Sequence, residues 1–151
     1  MIWMPKHIKK GKRFKNSFSQ IGLAFGGLLL IAMGIYFILL RPALLPEDLR
    51  YMKTTLSIIH DSAADLSVWL QKVFYVLGGF IFTTGVLTIF IALTSFRKRL
   101  PGTSIIVAFA GITSIGLMTV VNFMIGSDFR WVLLIFTLPW IIALVLYRLH
   151  K

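Results

Sequence analysis

Cysteine is absent from the 151 residues, and acidic side chains number only five against sixteen lysines and arginines. Without thiols the chain can neither close a disulfide nor supply thiolates to a metal or iron–sulfur cluster, so thiol-exchange chemistry is excluded. Charge of any sign is scarce: 14% of residues carry it, where a soluble domain has about 25%. Four stretches, Asn16–Leu40, Val73–Phe96, Leu100–Ser127 and Trp131–Tyr147, contain no Asp, Glu, Lys or Arg and run from 17 to 28 residues. About 20 apolar residues cross a hydrocarbon core as a helix. With 58% apolar residues overall, a soluble globule, a disordered tail and a coiled coil are excluded.

Backbone polar groups find no water in hydrocarbon, so each stretch must be helical. The sequence predicts an all-α fold, a four-helix transmembrane bundle with an extracytoplasmic amphipathic helix between spans 1 and 2. The spans fall at about 20–41, 70–96, 103–126 and 130–147, within a single domain over 20–151. A basic arm over 1–19 precedes them, and an outer loop over 42–69 joins the first two. Lys6, Lys9, Lys10, Lys12, Arg13 and Lys15 lie in the arm, Arg97, Lys98 and Arg99 between spans 2 and 3, and Arg148 and Lys151 after span 4. These supply the whole net charge of +11 with no acid among them, while the segments on the other side are neutral. By the positive-inside rule both termini are cytoplasmic. The arm suits an anionic inner leaflet, at about 1 kcal/mol per charge. No nucleic-acid module accompanies it, so the bilayer is the expected partner and nucleic acid is not. Ile21–Leu40 exceeds the roughly 7–15 residues of a signal-peptide core and reads as a retained anchor. A mitochondrial presequence shares the basic, acid-poor character but is richer in serine.

Small residues recur at seven-residue steps: Gly27 and Gly34 in span 1, Gly78, Gly85 and Ala92 in span 2, Ser104 and Gly111 in span 3. Two helical turns return such positions to one face, where small side chains let helices approach closely in lipid. Gly22 and Gly26 add a shorter small-residue pair. Packing within the bundle is the main expectation, and a homo-oligomer seam the alternative. Pro139 frees the carbonyl of Ile135 and predicts a kink near Thr137–Trp140, serving either packing or gating. Trp69, Trp131, Tyr36, Tyr75 and Tyr147 fall near span ends, as amphipathic rings prefer. Trp140 lies deeper, so its indole N–H is expected to find a threonine or a freed carbonyl.

In the outer loop, Pro46-Glu47-Asp48 reads as a helix start, with proline in the first turn and acids at the positive end of the dipole. Leu49, Met52, Leu56 and Ile59 continue it as one apolar stripe, which His60-Asp61 ends. Ser62-Ala63-Ala64-Asp65 has the form of a capping box opening a helix into span 2. The run Arg41-Pro42-Ala43-Leu44-Leu45-Pro46-Glu47-Asp48-Leu49-Arg50-Tyr51-Met52, followed by Val73-Phe74-Tyr75-Val76-Leu77-Gly78-Gly79, resembles a group of small uncharacterised four-span bacterial inner-membrane proteins. Pro46, Glu47, Asp48, Arg50 and Tyr51 form the core of that loop motif. The resemblance covers spans 1 to 4 and implies the fold and a multi-pass location in the bacterial cytoplasmic membrane. It transfers no catalytic residue.

The sequence holds no catalytic constellation, no cofactor motif and no metal-ligand spacing. The spans lack the intramembrane carboxylate on which proton-coupled pumps and exporters rely. Their hydroxyls are expected to bond the preceding helical turn, and Asn122 to bridge two helices. His7 and His150 are separated from His60 by the predicted topology. The outer acids Glu47, Asp48, Asp61, Asp65 and Asp128 read as caps and a solvated face, with Asp128 paired to Arg130. The leading expectation is a non-enzymatic accessory or interaction subunit of a membrane complex. A carrier of lipid or small apolar solutes, working as a bundle or dimer, is the alternative. The charge asymmetry carries its own test. Alkaline phosphatase fused after His150 is expected to stay inactive in living bacteria, and a fusion after Thr54 to be active; the reverse pattern contradicts the topology.

Overall fold

The computed structural model describes residues 10–149, with side chains from Phe18 onward. Every regular element among them is helical, and no strand is present. Helix α1 (Lys10–Leu39) continues the second half of the basic arm directly into span 1. Lys6 and Lys9 lie outside the described residues, as do the side chains of Lys10, Lys12, Arg13 and Lys15. Two short helices follow, α2 (Pro46–Met52) and α3 (Leu56–Ser62). Span 2 is α4 (Leu66–Ile91), extended by a π turn over Ala92–Phe96. Span 3 is α5 (Thr103–Gly111) and α6 (Leu117–Met124), joined by a second π turn over Ile112–Gly116. Span 4 is α7 (Arg130–Leu149), which stays helical through Pro139. Four helices are therefore long and apolar enough to cross a membrane: Phe18–Leu39, Leu66–Phe96, Thr103–Met124 and Arg130–Leu149. The chain is a multi-pass membrane protein.

Span 1 is central because its glycines bring it against two neighbours. On the α4 side, a Cβ at Gly34 would stand 2.6 Å from the Phe82 amide nitrogen and 2.8 Å from the Gly78 carbonyl oxygen. One at Gly85 would stand 2.6 Å from the Gly27 carbonyl oxygen. Gly27 thus faces Gly85 and Gly34 faces Gly78, in antiparallel register two helical turns apart. Ala92 is fully buried at the far end of the same face. The remaining glycine of the heptad set, Gly111 in span 3, faces α7 instead, where Trp140 fills the space.

Trp140 is the wedge of the bundle. Its indole Nε1 lies 2.6 Å from where a Cβ of Gly26 would be, and its six-membered ring 2.7 Å from that of Gly111. Spans 1, 3 and 4 therefore meet on one ring, which is 3% exposed. The expected hydrogen bond is not made: Nε1 is buried with no partner among the described residues. Thr137, the nearest candidate in sequence, instead donates its hydroxyl to the Leu134 carbonyl at 2.6 Å.

At the end of the bundle that carries Arg97–Arg99, the Phe96 and Tyr147 rings stack with centroids 4.3 Å apart. The Arg99 guanidinium sits 4.7 Å from the Tyr147 ring and donates to the Tyr147 carbonyl at 3.1 Å. A cation there meets the negative end of α7.

The loop between spans 1 and 2 departs from the sequence reading. A single helix starting at Pro46 and running to Ile59 was expected, but Lys53 takes a left-handed conformation (φ 53°) and ends α2. Thr54 N–H reaches the Leu49 carbonyl and Lys53 N–H that of Arg50, as in a Schellman stop. Thr55 then caps α3, its hydroxyl accepting from Ile58 N–H. The apolar stripe is split accordingly: Ile59 is buried, while Leu56 is 57% exposed. His60-Asp61 lies inside α3 rather than ending a helix. Ser62 does not cap α4 either; its hydroxyl bonds back to the Ile58 carbonyl, and α4 begins at Leu66.

The glycine seam predicts a position-specific response. Gly34→Ala or Gly85→Ala forces a methyl into backbone and should destabilise the protein by about 1–3 kcal/mol. Gly79→Ala, where nothing lies within 4 Å, should be neutral or stabilising by up to about 1 kcal/mol. Unfolding in mixed detergent micelles measures the difference, and equal effects at positions 79 and 85 would contradict the seam.

Candidate functional site: a lateral groove and its polar rim

Spans 1 and 4 pack on each other, span 2 packs on span 1, and span 3 packs on span 4. Spans 2 and 3 approach chiefly where the π turn over Ala92–Phe96 meets α5, at the arginine-bearing end. A groove of about 960 Å³ fills the space left between them. Its floor is Leu30, Met33 and Phe37 of span 1 with Leu133 and Phe136 of span 4. Its walls include Phe80 and Thr84 of span 2 and Phe109, Ser114 and Leu117 of span 3. Phe80 and Phe109 line it yet are each 69% exposed, so the groove opens sideways between spans 2 and 3.

The groove wall is mostly apolar, and its few side-chain hydroxyls are apolar in effect. Thr84 donates its hydroxyl to the Phe80 carbonyl at 2.8 Å, Thr113 to Phe109 at 2.9 Å, and Ser114 to Ala110 at 2.5 Å. These back-bonds consume the donors within their own helices. Asn122 does the same, its amide donating to the Met118 carbonyl at 2.9 Å rather than bridging two helices as expected. Thr113 and Ser114 sit in the π turn over Ile112–Gly116, where the widened backbone turns both toward the groove. π turns inside helices often mark functional sites. Nothing in the residue types gave this turn away, because its widened hydrogen bonding requires no special side chain.

One end of the groove carries charge. Arg41, just beyond span 1, donates to Asp48 Oδ2 at 3.3 Å and to the Pro42 carbonyl at 3.1 Å. Its guanidinium lies 3.5 Å from the centroid of the Phe74 ring and 5.3 Å from that of Phe37. Burial pushes the Arg41 pKa down and the neighbouring Asp48 carboxylate counters it; a guanidinium stays cationic regardless. Gln71 ties the opening of span 2 to the same corner, its amide donating to the Arg41 carbonyl at 3.2 Å. Asp48 Oδ2 also accepts from Leu45 N–H at 2.9 Å, which fixes the start of α2.

Helix α2 crosses from this corner to the turn between spans 3 and 4. Asp128 was expected to pair with Arg130; both of its oxygens instead lie 2.8 Å from Arg50. That partnership raises the Arg50 pKa. Glu47 was read as part of a solvated face, yet it is 4% exposed and accepts from the Ser127 hydroxyl at 3.2 Å. The cause is geometric: the turn at Gly126 (φ 66°) presents Ser127 and Asp128 toward α2, so two acids meet partners some eighty residues away in the chain. Of the rest of the loop motif, Pro46 occupies the first turn of α2 and Tyr51 is 61% exposed. His60, Asp61 and Asp65 are exposed, and no group of three His, Cys, Asp or Glu side chains comes together among the described residues.

No protein family, curated protein or solved structure matches this chain. The groove and its rim therefore stand on their own geometry.

The two contacts of α2 differ in depth, and removing them should differ in consequence. Glu47→Ala leaves the buried Ser127 hydroxyl without its acceptor, a loss of about 1–3 kcal/mol. Arg50→Ala removes an exposed ion pair, a smaller effect that vanishes at high salt. Tryptic cleavage at Lys53 is expected to accelerate far more in the first variant than in the second. Equal rates would contradict the burial of Glu47.

Proposed function

We propose that this chain is a non-enzymatic protein of a bacterial cytoplasmic membrane that takes a bilayer lipid into the groove between spans 2 and 3. The supporting observation is the groove itself, open sideways, largely apolar, with its threonine and serine hydroxyls already bonded and charge confined to one end. A polar solute would find few free donors there and would forfeit its hydration. An amphiphile would lose nothing on entering along its tails and could leave its headgroup at the Arg41 corner. By the positive-inside rule that corner is extracytoplasmic, and the arm and the Arg97–Arg99 turn face the cytoplasm.

A volume of about 960 Å³ lies at the upper end of small-molecule sites, which run to about 1,000 Å³. The accessory-subunit reading draws its support from α3, where Leu56 and Ile58 are each 57% exposed beyond the bundle. Both readings require a protein that binds rather than transforms.

Lipid should survive gentle purification and be countable by native mass spectrometry. Ala110→Phe, which places a ring in the groove wall, should remove most of it while leaving the melting temperature within a few degrees of wild type. Undiminished lipid in a folded Ala110→Phe variant would contradict the groove as the binding site. Reproducible recovery of a protein partner by a lipid-free chain would favour the accessory role.

A further inference from the structure

We infer that the Arg41–Asp48 pair receives the headgroup of a zwitterionic phospholipid, its phosphate on the Arg41 guanidinium and its primary ammonium on the Asp48 carboxylate. This rests on the reading of the groove as a lipid site and adds which lipid it selects.

Arg41 and Asp48 are the two charged side chains that line the groove. Their mutual contact is single and long, 3.3 Å between one guanidinium nitrogen and Asp48 Oδ2. Of the five N–H donors on Arg41, one is on Asp48 and one on the Pro42 carbonyl. Three donors remain on a group held in place by the Phe74 ring. Asp48 spends Oδ2 on Arg41 and on Leu45 N–H, which leaves Oδ1 to accept. Unused donors and an unused acceptor thus stand side by side at the charged end of an apolar groove. A planar guanidinium suits a phosphate, and a carboxylate oxygen suits an ammonium with protons to give.

Charge complementarity decides among headgroups. Arg41 and Asp48 cancel, the nearby Arg50 and Asp128 cancel, and the buried Glu47 adds one negative charge to the corner. A headgroup that is anionic overall would gain Arg41 but meet Asp48 and Glu47 without compensation. A phosphate that carries its own cation satisfies both members of the pair. A quaternary ammonium offers Asp48 no hydrogen-bond donor, whereas a primary one offers three.

The test exchanges detergent-stripped protein into vesicles of equal parts phosphatidylethanolamine, phosphatidylcholine and phosphatidylglycerol with identical acyl chains. Protein is then re-extracted, and the lipid it carries is counted by mass spectrometry. Wild type should carry the ethanolamine lipid in about threefold excess over each of the others, the size of effect a partly exposed ion pair gives. Asp48→Asn keeps an acceptor for Leu45 N–H; it should retain total lipid and lose the advantage of ethanolamine over glycerol. Arg41→Gln should lower retention of all three. Wild-type lipid in vesicle proportions, or enriched in the glycerol or choline form, would overturn the headgroup assignment while leaving the groove intact. Loss of all lipid selectivity together with unchanged lipid content in Ala110→Phe would instead remove the groove. Should either rim variant fail to fold, the wild-type ratio alone decides.

Discussion

The architecture depends on how closely span 1 and span 2 approach. Hydrocarbon offers no hydrophobic gain for bringing apolar helices together, so association rests on van der Waals contact between surfaces that fit. Gly27 against Gly85 and Gly34 against Gly78 supply that fit by placing backbone on backbone. Span 1 is thereby committed on one side to span 2, and Trp140 commits its other side to span 4 through Gly26. Span 3 is left to pack on span 4, with Gly111 receiving the six-membered ring of the same indole. Spans 2 and 3 end on opposite flanks of a central pair. The groove is the consequence of that order rather than of any residue selected to line it.

The same order explains the loop. A connection between adjacent antiparallel helices needs only a few residues, yet 26 residues separate α1 from α4. Helix α2 uses part of that length to reach the turn between spans 3 and 4. There Glu47 and Arg50 engage Ser127 and Asp128 and tie the two flanks together above the open side. Arg41 sits where this strap begins, stacked on Phe74 at the mouth of the groove. Packing in the membrane thus determines where charge gathers outside it, and the proposed headgroup selectivity depends on that placement.

Much of the fold was legible from residue types alone. Absence of charge over four long stretches marks the spans because burying charge in hydrocarbon is costly whatever the tertiary structure. The seven-residue spacing of Gly27, Gly34, Gly78 and Gly85 was visible for a related reason, since only small residues permit such an approach. What stayed hidden depends on contacts between distant segments. Glu47 looked like a solvated cap because nothing near it in sequence reveals the buried Ser127 eighty positions later. Asp128 looked paired to Arg130 because proximity in sequence was the available guide, and the turn at Gly126 directs it elsewhere. The division of the loop into α2 and α3 turns on a left-handed Lys53, a conformation ordinarily signalled by glycine. The groove was invisible for the deepest reason: it is a gap, and a gap follows from which helices do not touch.

Everything above depends on spans 2 and 3 standing apart along the groove while spans 1 and 2 are in backbone contact. The absence of native cysteine allows nitroxide labels to be placed at will, and their separation in bilayers can be measured by pulsed electron paramagnetic resonance. Labels at Phe80 and Leu117 bracket the groove, and labels at the exposed Leu28 and Val86 bracket the packed pair. The account predicts a clearly longer mean distance for the first pair than for the second, narrowing in width but not in mean when lipid is bound. A distance across spans 2 and 3 equal to or shorter than that across spans 1 and 2 would mean a closed bundle, and would contradict it.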